Sequence, residues 1–282
     1  MADRLSEDHI SATAVAVAYF RHMESSRADA LISDEFAWPL VEATGLGTHL
    51  IGLPEENMRR VIDGIAVRTR YIDQAVEDAV ASGIRQIVIV AGGLDTRAFR
   101  MELPPGTTVF DIDLEPVQEL KRTVLAADPR AKRWRPVVAD LKQDWAAALH
   151  DAGFDAATPA LWICEGILYY LAEDESDRLV SAITDASAPT SRLAGDHRGK
   201  GTLQPGQHQV VAKRVADAGF GFQSVIDDPT SWLAGRGWAS DSVTTVRTLG
   251  LQHGRDLGYD ERPGAELGWL YTAHRPASPS YA

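Results

Sequence analysis

Small apolar and aromatic residues recur at helical spacing between about Ile10 and Met23, through Ala14, Val17, Ala18, Tyr19 and Phe20, and predict an amphipathic helix. A shorter helix is expected over 34–43, stopped by Gly45 and Gly47. From Glu55 the apolar positions Val61, Ile65, Ile72, Val76, Ala79 and Val80 keep the helical period as far as Gly83, a glycine where a helix ends. The period then changes. Ile87-Val88-Ile89-Val90 is a continuous β-branched run, the pattern of a strand buried on both faces of a parallel sheet.

Beyond it strand and helix signals alternate. Strands are expected at 107–113 (TTVFDID), near 136–139, at 160–164 (ALWIC) and at 191–195 (SRLAG). Helices are expected over 116–127, 145–149 and 173–186. Strands separated by helices imply right-handed crossovers and an open, doubly wound sheet. The last third is less regular: a helix near 206–218, a short one around 229–233, then SVTTVRTL (242–249) and LGWLYTAH (267–274) as candidate strands. Two strands this close in sequence suggest an antiparallel hairpin at a sheet edge. The final RPASPSYA reads as a frayed tail.

The expected fold class is therefore α/β: a doubly wound, mostly parallel, Rossmann-like sheet with a C-terminal antiparallel hairpin and an N-terminal helical lid. One domain spans 1–282, with the lid and lead-in helix at 1–83, the core at 84–196, and a pocket-forming region and sheet edge at 197–282.

Composition narrows what such a sheet can do. Of 282 residues, 28 are Lys or Arg and 40 Asp or Glu, and a net charge of −12 makes nucleic acid a poor partner. The single cysteine, Cys164, excludes an intrachain disulfide and a multi-cysteine metal site; inside an apolar strand it reads as a buried small residue. No metal is expected. The polar, acidic N-terminus lacks the apolar core of a signal peptide, and no run reaches the ~18 apolar residues of a membrane span. A soluble, cytoplasmic protein with no membrane partner is expected.

The chemistry concentrates where strands end. In open α/β sheets ligands bind at the carboxyl ends of the strands, and Gly92-Gly93 follow the first strand. A dinucleotide fingerprint would need G-x-G-x-x-G, but here the run is G-G-L-D-T-R, with Asp95 where a phosphate would be repelled. An acid suits a ligand bearing positive charge and no phosphate, as S-adenosylmethionine does. Asp113 follows Gly93 by 20 residues, the distance at which an acid meets ribose hydroxyls. Asp140, ending the third strand, suits the adenine amino group, with Leu141 beside it as a backbone contact and an apolar neighbour. Glu165 and Gly166 end the fourth strand on the same rim.

Blander readings stand beside these. Glycines after a strand can simply turn the chain, and Asp113 and Asp140 can cap the helices that follow. Arg97 and Arg100 read as surface or intraloop ion pairs. Of Arg68 and Arg70, one is expected over the cofactor's carboxylate and the other in solvent. GKGT (199–202) lacks the upstream glycine of a phosphate loop.

The segments RTRYID, VAGGLDTRAFR, DIDLEPVQELKR, VVADLKQDW and ALWICEGILYYL resemble the leucine carboxyl methyltransferase superfamily, above all its bacterial small-molecule O-methyltransferases. The resemblance runs from about Ser11 to Asp196; the last third matches mainly in GWLYTAHR. It implies a class I, S-adenosylmethionine-dependent fold. It places the cofactor's amino acid end at Arg68 and the Gly92-Gly93 loop, Asp113 on the ribose, Asp140-Leu141 at the adenine, and Glu165 with Gly166 near the methionine portion. Ala91 and Leu114, flanking the glycines and Asp113, join this set. One departure is Gly92, where relatives commonly carry alanine.

Methyl transfer from a sulfonium is an in-line displacement that asks mainly for alignment and exclusion of water. The expected acceptor is a small secondary metabolite, polyketide-like, methylated on a carboxylate or a phenolic hydroxyl. A carboxylate needs only a clamp, for which Tyr19, Arg21 and Arg198 are candidates; Tyr169 is a candidate for the pocket wall. A hydroxyl needs a base, and His197, after the fifth strand, is the candidate, with a surface-loop histidine as the competing reading. A homodimer is compatible with the sequence. The alternatives are a non-catalytic or cyclisation-type S-adenosylmethionine binder and an NAD-dependent oxidoreductase on the same sheet.

Overall fold

The computed structural model describes residues 10–46, 55–204, 213, 221–258 and 266–277. Seven strands form one sheet: β1 (Gln86–Val90), β2 (Thr108–Asp113), β3 (Trp134–Val138), β4 (Ala160–Cys164), β5 (Arg192–Arg198), β6 (Ala239–Thr245) and β7 (Gly268–His274). Their order is β3-β2-β1-β4-β5-β7-β6. The first five strands are parallel, and β7 runs antiparallel between β5 and β6. Strand order reverses between β1 and β4, so the crevice where such sheets bind ligands opens at the carboxyl ends of those two strands.

Nine helices flank the sheet among the described residues: α1 (Ala12–Ser25), α2 (Ala37–Ala43), α3 (Glu55–Ala81), α4 (Arg97–Arg100), α5 (Glu115–Leu125), α6 (Trp145–Asp151), α7 (Glu173–Asp185), α8 (Pro229–Ala234) and α9 (Val246–Gln252). The continuous apolar run of β1 is divided by the pleat. Ile87 and Ile89 pack under α1–α5 with Ile72, Val76, Phe99 and Ile163, whereas Val88 and Val90 pack under α6–α8 with Trp162, Val180 and Leu233. Burial on both faces is why the strand carries no polar alternation. Cys164 lies wholly buried in β4, and burial pushes its thiol up to about 12, the state of an inert core residue.

One expectation changes. SVTTVRTL is not one strand: β6 ends at Thr245, whose hydroxyl accepts from Thr248 N at 3.0 Å and caps α9. Its β-branched residues suit both states, and the capping hydroxyl decides. The two C-terminal strands pair antiparallel at the sheet edge, as expected, with this helix between them in the chain. A short helix, α4, follows the glycine loop directly. The helix expected over 206–218 lies, Lys213 apart, outside the described residues, as does the tail from 278. No described helix is long and apolar enough to cross a membrane.

Candidate functional site

The loop after β1 is built to a fixed shape. Ala91 has φ +49° and Gly93 φ +55°, a left-handed conformation that costs a non-glycine residue free energy and collects at functional sites. At Gly93 a Cβ would also lie 2.8 Å from the Cβ of Ala14 in α1, so the first helix rests on this loop. Asp113, at the end of β2, ties the loop down: one carboxylate oxygen accepts from Gly93 N at 2.7 Å and the other from Leu114 N at 2.8 Å. Burial, with Asp111 adding, pushes the Asp113 carboxyl up to about 6. Leu114 itself is exposed.

Glu165, just past β4, spans two arginines. Its Oε1 accepts from Arg68 Nε at 2.8 Å, and its Oε2 pairs with Arg97 Nη1 at 2.7 Å. Arg68 comes from α3, where its neighbour Arg70 turns to solvent, as expected of one of the two, and pairs with Glu77. Arg68 also donates to the Tyr169 hydroxyl at 3.3 Å and to Asp196 Oδ2 at 3.4 Å, and Asp196 Oδ1 accepts from Gly166 N at 2.6 Å. Burial alone would lower the Arg68 pKa; Asp196 and Glu165 beside it more than reverse that. Burial likewise opposes ionisation of Glu165, but Arg97 and Arg68 hold its pKa below the usual value. Asp196 goes the other way, its pKa raised by burial that Arg68 only partly offsets.

Arg97 is not a surface residue. It is 2% exposed, pairs with Asp95 and Glu165, and donates to Asp73 Oδ1 at 2.8 Å, while Arg100 makes two 2.7 Å bonds to the same Asp73. Asp95, expected to face a cationic ligand, accepts from both the backbone N–H and the guanidinium of Arg97. Burial would raise its pKa, but Arg97, helped by Arg21, brings it to about 2. Around this edge six carboxylates (Asp34, Asp73, Asp95, Asp113, Glu165 and Asp196) meet five guanidiniums (Arg21, Arg68, Arg97, Arg100 and Arg198). The surplus is negative. Among the described residues no His, Cys, Asp and Glu group could hold a metal ion.

Asp140 and Leu141 lie half-buried at the end of β3, where Asp140 accepts from Lys142 N at 2.9 Å and Leu141 packs against the α6–α8 face. Asp144, not Asp140, caps α6.

The substrate candidates divide. Arg21 is no free clamp: its Nε donates to Asp34 at 2.8 Å and its Nη2 to the Leu94 carbonyl at 2.6 Å, fastening α1 to the glycine loop. Tyr19 packs on Trp38 of α2, with ring centroids 6.4 Å apart. Tyr169 is buried in the site, between the Arg68 guanidinium and the rings of Tyr170 and Phe222. Arg198 lies over the Tyr169 ring at 4.8 Å and the Phe222 ring at 4.5 Å.

His197 is buried and not a surface residue. The pleat of β5 puts Asp196 and Arg198 on one face and His197 on the other. There His197 is 1% exposed against Trp232, its Nδ1 is 3.2 Å from the Arg198 carbonyl, and burial lowers its pKa to about 4. Sequence reasoning missed Asp196 and Asp73. The parity of β5 marks Asp196 once Ala194 is known to face α3, but nothing in the sequence near Asp73 announces its arginine partners.

A family model described as leucine carboxyl methyltransferase matches residues 14–184. A protein of Mycolicibacterium smegmatis is 41% identical over 268 residues, covering 88% of this chain and 89% of the relative, and one of Streptomyces avermitilis is 37% identical over 280 residues, covering 93% and 95%. Both carry provisional names as S-adenosyl-L-methionine-dependent methyltransferases. Among solved structures, a provisionally named methyltransferase from Thermobifida fusca superposes with a TM-score of 0.63 at 21% identity, covering 97% of each chain. A DUF574 family protein from Streptomyces avermitilis gives 0.62 at 17% identity, covering 97% of this chain and all of that one.

Proposed function

The chain belongs to the leucine carboxyl methyltransferase family and is an S-adenosylmethionine-dependent methyltransferase, and we propose on that premise that it methylates an oxygen, carboxylate or phenolic, of a small polyketide-like secondary metabolite. The observation that carries the reading is the bridge at the strand-order reversal: Glu165 after β4 holding Arg68 and Arg97, beside a Gly93 loop fixed by Asp113.

The residues fit the cofactor. Surplus carboxylate charge at the edge suits a sulfonium and an ammonium; Arg68, whose Nε and Nη1 are taken by Glu165, Tyr169 and Asp196, has its Nη2 to offer the carboxylate of the amino acid end; and Ala91, Gly92 and Gly93 present backbone without bulk. Asp113, beside Leu114, keeps lone pairs for a ribose diol beyond the two N–H groups it already accepts. Asp140 and Leu141 stand where an adenine would lie, and Glu165 with Gly166 flank the methionine portion. Asp95 acts at second hand, through Arg97. S-adenosylmethionine supplies an electrophilic methyl, whose carbon–sulfur bond breaks as the acceptor oxygen bonds to carbon, the electron pair staying on sulfur. The chain's own part is to orient the acceptor and exclude water. Its work is positional, in keeping with a site that presents rings and guanidiniums. We place the protein in the cytoplasm, with the small acceptor as its partner and a homodimer as its assembly.

The test is incubation of the purified protein with S-adenosylmethionine and a panel of aromatic and polyketide-like acids and phenols, followed by mass spectrometry. S-adenosylhomocysteine together with a methyl ester or ether supports the proposal. Methyl found on nitrogen or carbon, or tight cofactor binding with no turnover on any acceptor, overturns it.

A further inference from the structure

Every other arginine at this edge is matched with carboxylate. Arg21 meets Asp34, Arg68 meets Glu165 and Asp196, Arg97 meets Asp73, Asp95 and Glu165, and Arg100 meets Asp73. Arg198, the last residue of β5, makes no ion pair with a carboxylate among the described residues, although its charge acts at longer range on Asp196. Its half-buried guanidinium lies instead against two rings that meet edge to face, 4.8 Å from the centroid of Tyr169 and 4.5 Å from that of Phe222. Its Nε is buried and makes no hydrogen bond.

Packing against aromatic rings leaves N–H groups of an arginine for a ligand that an ion pair inside the chain would have taken. A carboxylate partner inside the chain would occupy the fork; two rings do not. Tyr169 also relates this fork to the cofactor end of the site, because the hydroxyl of the ring under Arg198 accepts from Arg68 at 3.3 Å. An anion on Arg198 is thus one tyrosine side chain away from the arginine beside Glu165. The sequence candidate for a base, His197, stands on the other face of β5, its ring 5.8 Å from that of Trp232 and 6.2 Å from that of Tyr169.

We propose that Arg198 is a specificity-determining residue that takes a planar oxyanion of the acceptor in its guanidinium fork, with Tyr169 and Phe222 as the apolar walls beside it. The inference rests on the methyltransferase reading and adds the acceptor's charge state to it. An acceptor that arrives as an oxyanion has no proton to lose, so transfer to it balances without a base. A carboxylate and the phenolate of an acidic phenol share this chemistry.

The probes are 1-naphthoate, its neutral isostere 1-naphthamide, and 2-naphthol at pH 7 and pH 10, each titrated calorimetrically into the full chain saturated with S-adenosylhomocysteine. Naphthoate is expected to bind roughly ten-fold more tightly than naphthamide, as a bidentate charge-assisted contact should give. Arg198→Gln removes that preference while S-adenosylhomocysteine affinity stays as in the wild type, and Arg198→Lys restores only part of it, since an ammonium lacks the fork. Phe222→Leu, which leaves the charge in place, narrows the preference several-fold and serves if Arg198→Gln fails to fold. Preference for naphthoate names a carboxylate as the source, and 2-naphthol binding that strengthens at pH 10 names a phenolate; loss of either in Arg198→Gln supports the proposal. Equal affinity for naphthoate and naphthamide, or a preference that survives in Arg198→Gln or is untouched in Phe222→Leu, overturns it. Failure of the wild type to bind S-adenosylhomocysteine would count against the methyltransferase reading alone, because the probes can still be titrated without it.

Discussion

The carboxyl edge of the sheet has two halves that treat arginine in opposite ways. On the β1–β4 side Arg97 is buried among Asp73, Asp95 and Glu165, and Arg68 is shared by Glu165, Asp196 and Tyr169. On the β5 side Arg198 lies against two aromatic rings and makes no ion pair with a carboxylate among the described residues. A buried charge is costly unless paired and hydrogen-bonded, so the first half is stable only as a closed network and returns a fixed shape. Stacking compensates a guanidinium less completely, and the β5 half keeps an unfilled demand for an anion. The same side chain thus serves as framework in one half and as a recognition element in the other.

The sharpest way to break this contrast is to remove the framework arginine. Arg97→Met leaves Asp73, Asp95 and Glu165 without their shared partner, and should cost about 3–5 kcal/mol of stability, as the loss of one member of a buried ion network does. Urea unfolding of the full chain measures it. Arg198→Gln should change the midpoint by less than about 1 kcal/mol in the same assay. Comparable losses in the two variants would show that both arginines are structural.

The second test concerns the faces of β5. His197 is held at about 4, below its ordinary 6.5, by burial. The unfolded chain therefore takes up the proton first as pH falls, so stability declines from about pH 6.5 to about pH 4 and is fully present above that window. The contribution is about 3 kcal/mol on linkage arithmetic, and His197→Asn should flatten that part of the curve. Methyl transfer should keep its pH profile above pH 6 in the same variant. A profile that loses an inflection there would restore His197 as a base.

How much of this was legible depended on how local the cause was. The strand β1, the glycine loop and the 20-residue step to Asp113 were readable because a continuous apolar run, a turn and a spacing are each local patterns. The framework was not: Arg97 meets partners 24 and 68 residues away, and Arg68 reaches Asp196 across 128. No window of sequence distinguishes such an arginine from an exposed one. His197 was misplaced by one step of parity, since the pleat assigns neighbours to opposite faces and the sequence did not say which one faced α3. The strand over 242–249 failed because threonine and valine fit a strand and a capped helix start equally well.

Asp113 tests the framework at the point where we propose it meets the cofactor's ribose. Asp113→Ala should weaken S-adenosylhomocysteine binding by about 1–3 kcal/mol in calorimetry, because Gly93 N and the ligand's hydroxyls both lose an acceptor. The wild-type carboxyl sits near 6, so its accepting form is lost as pH falls through that value. Affinity should accordingly weaken between pH 7 and pH 5 in the wild type and stay flat in the variant. Unchanged affinity in Asp113→Ala would confine Asp113 to the loop.

The smallest effect is expected at Gly92, and it asks how rigid the framework half is. A Cβ there would fall 2.4 Å from Ile89 Cγ2 and 3.2 Å from Asp95 Cβ, so Gly92→Ala must push the Ile89 side chain or shift the loop. Ile89 is buried, but a side chain yields more easily than backbone, which puts the cost near 1 kcal/mol, the low end for overpacking. Leucine in place of Ile89 keeps the volume and removes the offending γ-methyl. Gly92→Ala should therefore be close to neutral in an Ile89→Leu background, and the two changes should couple in a double-mutant cycle. Additive costs would mean that the backbone moved instead, and S-adenosylhomocysteine affinity would then fall with stability. Coupling with unchanged affinity would show that Ala91 and Gly93, held by Asp113, fix the loop, and that Gly92 answers only to the isoleucine beneath it.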